Sequence, residues 1–412
     1  MSVLQPVRGT HDLLPEESRR HRLVEDIAFD IARRYGFGEI ITPIFEFTDV
    51  FSRNLGETTD VVSKEMYTFS DRSGESLTLR PEGTAGVARA FISGGLSQHL
   101  PLKLFYRGPM FRYERPQKGR LRQFHQLGVE LLGVEAPQAD VEVIALAAHI
   151  LQALGLKDNV RLELNSLGDA ASRIAYREAL VTYLSGFKDK LSKDSLERME
   201  RNPLRVLDSK DDADKAVVAE APLMVDYLND DSRRFFDDVQ SGLAAAGVPV
   251  TINPRLVRGL DYYCHTAFEF TTTALGAQGT VLAGGRYDGL IGQMGGPATP
   301  GIGWAAGIER LSMLFQDEIP LRRPLAVIPM GVSEAAVGLT QRLRQAGFAV
   351  ELGYSGNMKK RLARANKVNA RAAVILGEEE WSRQAVAVRD LDTGEQEEVP
   401  LAVLEERLSR FQ

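Results

Sequence analysis

Residues 103–113 and 126–132 read as two strands joined by a long loop, and this hairpin constrains the fold more than any other feature of the chain. A connection that brings the second strand back beside the first favours an antiparallel sheet. The loop is basic: between Arg112 and Arg122 it carries Arg115, Lys118 and Arg120, with Glu114 near its start. Arginines clustered on such a loop suit an anionic ligand such as a nucleotide phosphate, because a guanidinium fork can grip two oxygens at once.

The remaining pattern extends this sheet into a larger α+β domain. Residues 14–35 read as a helix, with Pro15, Glu16 and Glu17 at its start and Arg33 and Arg34 at its end. Strands are predicted over 40–45, 76–80, 161–165, 248–253 and 267–271, and helices over 82–91 and 140–154. Pro43 would break a central ladder, so its strand belongs at an edge or interface. Gly284-Gly285 and Gly295-Gly296 read as turns, and 301–314 as a segment whose later part is helical. Residues 167–230 lack strand runs and carry apolar residues at helical spacing, which predicts a helical insertion.

A polar, proline-bearing stretch at 316–323 separates this region from a tail of different character. There, strand and helix patterns alternate: 325–330, 334–346, 349–352, 357–369 and 372–376. Such alternation predicts an α/β domain with mostly parallel strands. The expected organisation is therefore a domain over 1–320, interrupted by the insertion at 167–230, and a second domain over 324–412. A chain of 412 residues is long enough for two or three cores.

Composition excludes several classes. No run of about 18 apolar residues occurs, so no membrane span is expected. The first residues lack a basic start followed by an apolar core, so a signal peptide is not expected either. One cysteine, Cys264, rules out an internal disulfide framework and a cysteine-built zinc site. The cytoplasm is the expected compartment. A net charge of -6 argues against nucleic-acid binding by overall charge, but not against local basic patches.

Several short motifs carry chemistry. Arg112 and Glu114 would share one face if the strand continued through them; a surface ion pair is the plainer explanation. In Thr78-Leu-Arg-Pro-Glu-Gly-Thr84, Glu82 and Thr84 follow a strand end, where they could hold an ammonium or cap the next helix. Glu130 lies four residues beyond Gln126, inside an apolar run, and needs a partner if buried. Arg258-Gly-Leu-Asp-Tyr-Tyr263 is the most unusual cluster, and Ala283-Gly-Gly-Arg-Tyr-Asp-Gly289 and Gly307-Ile-Glu-Arg310 accompany it. Cys264 and His265 adjoin the paired tyrosines. A strand would point them to opposite faces, which argues against a joint metal or nucleophile role, although alkylation of Cys264 near a pocket could inhibit. Lys360, Arg364, Lys367 and Arg371 would form a stripe if one helix spans them.

Together with Arg8-Gly-Thr-His-Asp12 and Asn202-Pro-Leu-Arg-Val-Leu-Asp-Ser-Lys210, these segments resemble the class II aminoacyl-tRNA synthetases, and within them the histidine-specific family. The resemblance spans nearly the whole chain. It implies an antiparallel catalytic sheet, a C-terminal anticodon-binding α/β domain, and a homodimer joined through residues 36–53. It implies ATP and L-histidine as substrates, Mg²⁺ accompanying ATP, and histidine tRNA as partner. Arg112 would contact the ATP α-phosphate, Glu114 the adenine and Arg310 the γ-phosphate. Arg258 would contact the reacting carboxylate and the α-phosphate. Glu82, Thr84 and Gln126 would hold the α-amino group of histidine. Glu130 and the tyrosines Tyr263 and Tyr287 would read its imidazole. Arg115, Gln117, Lys118 and Arg120 would meet the acceptor stem, and Lys360, Arg364 and Lys367 the anticodon. The alternative is a histidine-sensing regulatory subunit of ATP phosphoribosyltransferase. That family typically lacks the C-terminal domain and loses the ATP-contacting arginines.

Overall fold

The structure, a computed structural model, describes residues 3–53, 59, 61–258, 262–276, 279–315 and 322–412. Gly259, Leu260 and Asp261 of the tyrosine-bearing cluster lie outside the described residues, as does most of the predicted boundary at 316–323. The chain divides into two compact units, Met1–Asp317 and Glu318–Gln412.

In chain order the strands of the first unit are β1 (Gly38–Glu39), β2 (Phe45–Phe47), β3 (Tyr67–Ser70), β4 (Ser76–Leu79), β5 (Leu102–Phe111) and β6 (Gln123–Leu132). They continue as β7 (Arg161–Ser166), β8 (Thr251–Ile252), β9 (Cys264–Thr271), β10 (Thr280–Arg286) and β11 (Gly301–Gly307). Eight of them form one sheet in the order β1-β5-β6-β11-β10-β9-β7-β8. Its six central strands pair antiparallel, and only the short edge strands β1 and β8 pair parallel. The expected hairpin is its spine: β5 and β6 pair from Leu102 with Leu132 to Phe111 with Gln123. A second, three-stranded sheet has the order β2-β4-β3.

Three expectations need correction. The strand predicted at 40–45 does not form. Residues 40–44 are irregular around Pro43, and strand structure falls on either side, in β1 and β2. The strand predicted at 248–253 shrinks to the exposed pair Thr251–Ile252. Gly284 and Gly285 do not turn the chain; they lie within β10. There, a Cβ on Gly284 would run into the backbone carbonyl of Gly303 on the neighbouring strand. Glycine is needed here for close approach, a demand that sequence alone does not separate from a turn.

The helix Pro15–Arg34 begins at a proline and ends with two arginines, as its sequence suggests. The helices Thr84–Ser93 and Gln138–Ala153 bury apolar faces against the sheet's layers. The insertion is helical and has its own core, built on Tyr176, Leu180, Leu184, Val206 and Val217. Side chains of Asp169, Ser192 and Asp211 cap its helices, each such bond contributing roughly 1 kcal/mol.

The second unit holds β12 (Leu325–Pro329), β13 (Val350–Leu352), β14 (Ala372–Leu376), β15 (Ala385–Asp390) and β16 (Gln396–Pro400), in the order β13-β12-β14-β15-β16. The first three pair parallel, as alternation predicts. The last two pair antiparallel, a hairpin the sequence reading missed, so the sheet is mixed. Val327, Val374, Val386 and Leu404 centre its core.

Candidate active site

The large sheet carries a cavity of about 370 Å³. At its outer end three arginines converge. Arg112 follows the end of β5, Arg258 precedes β9, and Arg310 lies in the helix Ile308–Leu314 after β11. Arg112 and Glu114 stand just beyond the strand rather than in it, yet both side chains reach the cavity. Arg112 Nε donates to the Pro81 carbonyl at 2.9 Å, and its guanidinium lies 5.4 Å from the centre of the Phe124 ring. Arg310 donates to the Gly119 carbonyl at 3.0 Å and the Thr280 carbonyl at 2.6 Å. Burial, then the neighbouring charge of Arg120, lowers the pKa of Arg310, with Glu114 opposing. Crowded cations of this kind favour an anionic ligand that restores charge balance.

Arg258 forms an ion pair with Glu269 and lies 5.4 Å from the centre of the Tyr263 ring. Glu269 also accepts from Thr280 Oγ1 at 2.8 Å. The sequence reading missed both partners. A charged residue between two phenylalanines in Phe268-Glu269-Phe270 was the available signal, since the buried phenylalanines leave the glutamate on the opposite face.

At the inner end, Glu130 is fully buried. Thr84 Oγ1 donates to one of its oxygens at 2.7 Å, and the Tyr287 hydroxyl donates to the other. Gly303 faces it from β11, where any Cβ would overlap the carboxylate. Burial raises the Glu130 pKa from 4.5 to about 8, partly offset by the bonds from Tyr287 and Thr84. Glu82 accepts the backbone N–H groups of Thr84 at 2.8 Å and Ala85 at 2.7 Å, so it caps its helix and lines the cavity at once. Gln126, Tyr263 and Tyr287 line the same cavity, and the rings of Tyr262 and Tyr263 lie 4.6 Å apart.

The loop residues divide. Arg115, Gln117 and Lys118 are exposed. Arg120 turns inward, lines the cavity and forms an ion pair with Glu114 at 2.8 Å. Cys264 is not among the cavity's lining residues, and burial pushes its thiol up to about 12, which leaves it protonated. In the second unit Lys360, Arg364 and Lys367 lie exposed on the helix Met358–Lys367. Arg371 falls beyond that helix and pairs instead with Asp390 at 3.0 Å, so the predicted four-residue stripe has three members.

With its ligand cavity over an antiparallel sheet, rather than at the switch point of a parallel one, the first unit has the fold of a class II aminoacyl-tRNA synthetase. A family model described as histidyl-tRNA synthetase matches residues 9–311, and one described as an anticodon binding domain matches 325–410. The chain belongs to the histidyl-tRNA synthetase family. It is 68% identical over 414 residues to a histidine–tRNA ligase of Rhodospirillum rubrum, covering 100% of each chain. It is 59% identical to one of Gluconobacter oxydans, covering 99% of each. Among solved structures, apo histidyl-tRNA synthetase of S. aureus superposes with a TM-score of 0.83 at 37% identity, covering 98% of this chain and 99% of that one.

Proposed function

We propose that this protein attaches L-histidine to its tRNA in two steps at the cavity of the first unit. In the first, an oxygen of the histidine carboxylate attacks the ATP α-phosphorus and pyrophosphate leaves, giving histidyl-adenylate. In the second, the terminal ribose hydroxyl of the tRNA attacks the adenylate carbonyl and AMP leaves. The observation that carries this reading is the polarity of one cavity, with three arginines at one end and a buried, twice-bonded carboxylate at the other.

No covalent enzyme intermediate is needed; positioning and fixed charge supply the acceleration. Arg112 holds the α-phosphate, Arg310 the γ-phosphate, and Glu114, steadied by Arg120, the adenine. Arg258 bridges the histidine carboxylate and the α-phosphate, and its pairing with Glu269 fixes where that charge stands. Glu82, Thr84 and Gln126 take the α-amino group. Imidazole has two distinct ring nitrogens, so Glu130 with Tyr287 at one side and Tyr263 at the other separates it from near isosteres. Mg²⁺ would enter with ATP, and the cavity's carboxylates Glu114 and Glu269 would offer it oxygen donors alongside the phosphates.

The exposed Arg115, Gln117 and Lys118 meet the acceptor stem, and Lys360, Arg364 and Lys367 the anticodon arm. Tyr354, 71% exposed and beneath Arg364, offers a ring for a base to stack on. A homodimer fits the exposed apolar side chains Ile41, Ile44, Phe45, Phe47 and Phe69, of which Ile41 is 81% exposed. The cytoplasm, where tRNA is charged and used, is the compartment that fits this work.

The histidine-sensing regulatory reading requires only the inner end of the cavity. It gives no task to Arg112 and Arg310 at the outer end, so charging is the better reading. Incubation with labelled histidine, ATP, Mg²⁺ and unfractionated tRNA tests it. Label transferred to tRNA in an ATP-dependent manner is expected; histidine binding without transfer would favour the sensor.

A further inference from the structure

Behind the outer end of the cavity, three elements bring together side chains that the reaction does not use. His21 stands on the helix Pro15–Arg34, His125 on β6, and Glu309 on the helix Ile308–Leu314. One ligand-capable atom from each lies within 4.8 Å of the other two. We propose that His21, His125 and Glu309 form a binding site for a divalent first-row transition metal ion.

Two imidazoles and one carboxylate are a donor set that such ions take readily, with coordination positions left for water. Metal–ligand bonds of roughly 2.0–2.2 Å put neighbouring donor atoms about 3.4 Å apart in a tetrahedral shell. One pair already stands near that separation, with His125 Nδ1 2.9 Å from Glu309 Oε1. The His21 ring centre lies 5.6 Å from that of His125, with a ring nitrogen within 4.8 Å of both other donor atoms.

The donors are held rather than loose. The Glu309 carboxylate accepts the His125 backbone N–H at 2.9 and 3.0 Å, a support of the kind that orients metal-binding carboxylates. His21 and Glu309 are both buried, at 8% and 7% exposure. Among the described residues His21 has no hydrogen-bond partner, which leaves a ring nitrogen without a protein role. Access exists as well. A second cavity, of about 360 Å³, opens onto His21 and Glu309 and is also lined by His11 and Glu17. Glu309 lines this cavity and the ATP-sized one alike, next to Arg310. An ion here would therefore tie the first helix to the element that carries the γ-phosphate arginine.

The test uses the full chain without ATP or Mg²⁺, titrated with Co²⁺ and followed by equilibrium dialysis and visible absorption. Wild type should take up one Co²⁺ per chain with the absorption of a low-symmetry nitrogen–oxygen site. His21→Ala should raise the Kd at least about tenfold, and His149→Ala, remote from the cluster, should leave it unchanged. His21→Asn, which keeps a polar side chain of moderate size, replaces the alanine variant if circular dichroism reports unfolding. Absence of saturable Co²⁺ uptake by wild type, an unchanged Kd in the His21 variant, or loss of uptake in His149→Ala would each overturn the assignment.

Discussion

Tyr287 donates its phenolic hydrogen to the buried carboxylate of Glu130, 157 residues away in the chain. Thr84 occupies the other oxygen at 2.7 Å, so both acceptors of Glu130 are engaged before any ligand arrives. In the proposed reading, an imidazole N–H joins or displaces one of these bonds. This makes Glu130 a pre-aimed acceptor, since its neighbours fix its rotamer and Gly303 leaves it room.

Glu130→Gln should raise the histidine KM in pyrophosphate exchange about tenfold, the worth of one buried hydrogen bond, and narrow discrimination against other amino acids. ATP KM should change little. Steady-state kinetics check this, and an unaltered histidine KM with undiminished selectivity would count against the role.

The same residue predicts a pH effect on stability. Its pKa in the folded chain is raised to about 8 from 4.5, chiefly by burial, so the folded state holds this proton more tightly than the unfolded state. The contribution is fully present below the unfolded value and is lost as pH rises through about 8. An amide cannot ionise, so Glu130→Gln should gain on wild type by on the order of a few kcal/mol between about pH 5 and about pH 9. Urea unfolding of both proteins at the two pH values measures the difference; a constant offset would refute it.

Arg258 and Glu269 form a pair whose members should fail together. Arg258→Ala should cut adenylate formation on the order of a hundredfold or more while leaving the fold intact. Glu269→Gln should lower kcat by a smaller factor, because the guanidinium loses its partner but keeps its charge. Pyrophosphate exchange and circular dichroism read both. Undiminished exchange in Arg258→Ala would remove it from the reaction.

Cys264 sits directly after the paired tyrosines, which suggests that alkylation would inhibit, but the structure points the other way. The thiol is half-buried, and desolvation pushes its pKa up to about 12. Iodoacetamide near neutral pH should therefore label it slowly and leave activity unchanged while the chain stays folded. Mass spectrometry beside an activity assay decides.

Neutralising Lys360, Arg364 and Lys367 together should weaken tRNA binding and flatten its salt dependence, by a log–log slope of about 0.7 per lost single-strand phosphate contact. Pyrophosphate exchange without tRNA should be spared. Filter binding across a salt series is the measurement, and a change confined to ATP affinity would contradict the anticodon role.

Much of this site is legible in the sequence, because local patterns specify it. The hairpin of β5 and β6 follows from two strand-like runs, and the first helix from its proline start and basic end. Arg112, Arg258, Arg310, Glu130 and Tyr287 stand in short, unusual strings. What escaped depends on contacts between distant strands. Gly284 and Gly285 read as a turn, because close approach to β11 leaves the same glycine signature. Glu269 escaped because its partner Arg258 belongs to a different segment and the ion pair exists only once β9 is placed. The hairpin of β15 and β16 was missed because its exposed, charged second strand carries a weak apolar pattern.

ATP–pyrophosphate exchange without tRNA, run separately with each amino acid, tests the central claim most directly. Exchange with histidine and with no other amino acid is the predicted result. Silence with every amino acid, while calorimetry still reports histidine binding, would contradict it and leave a histidine sensor built on the same fold.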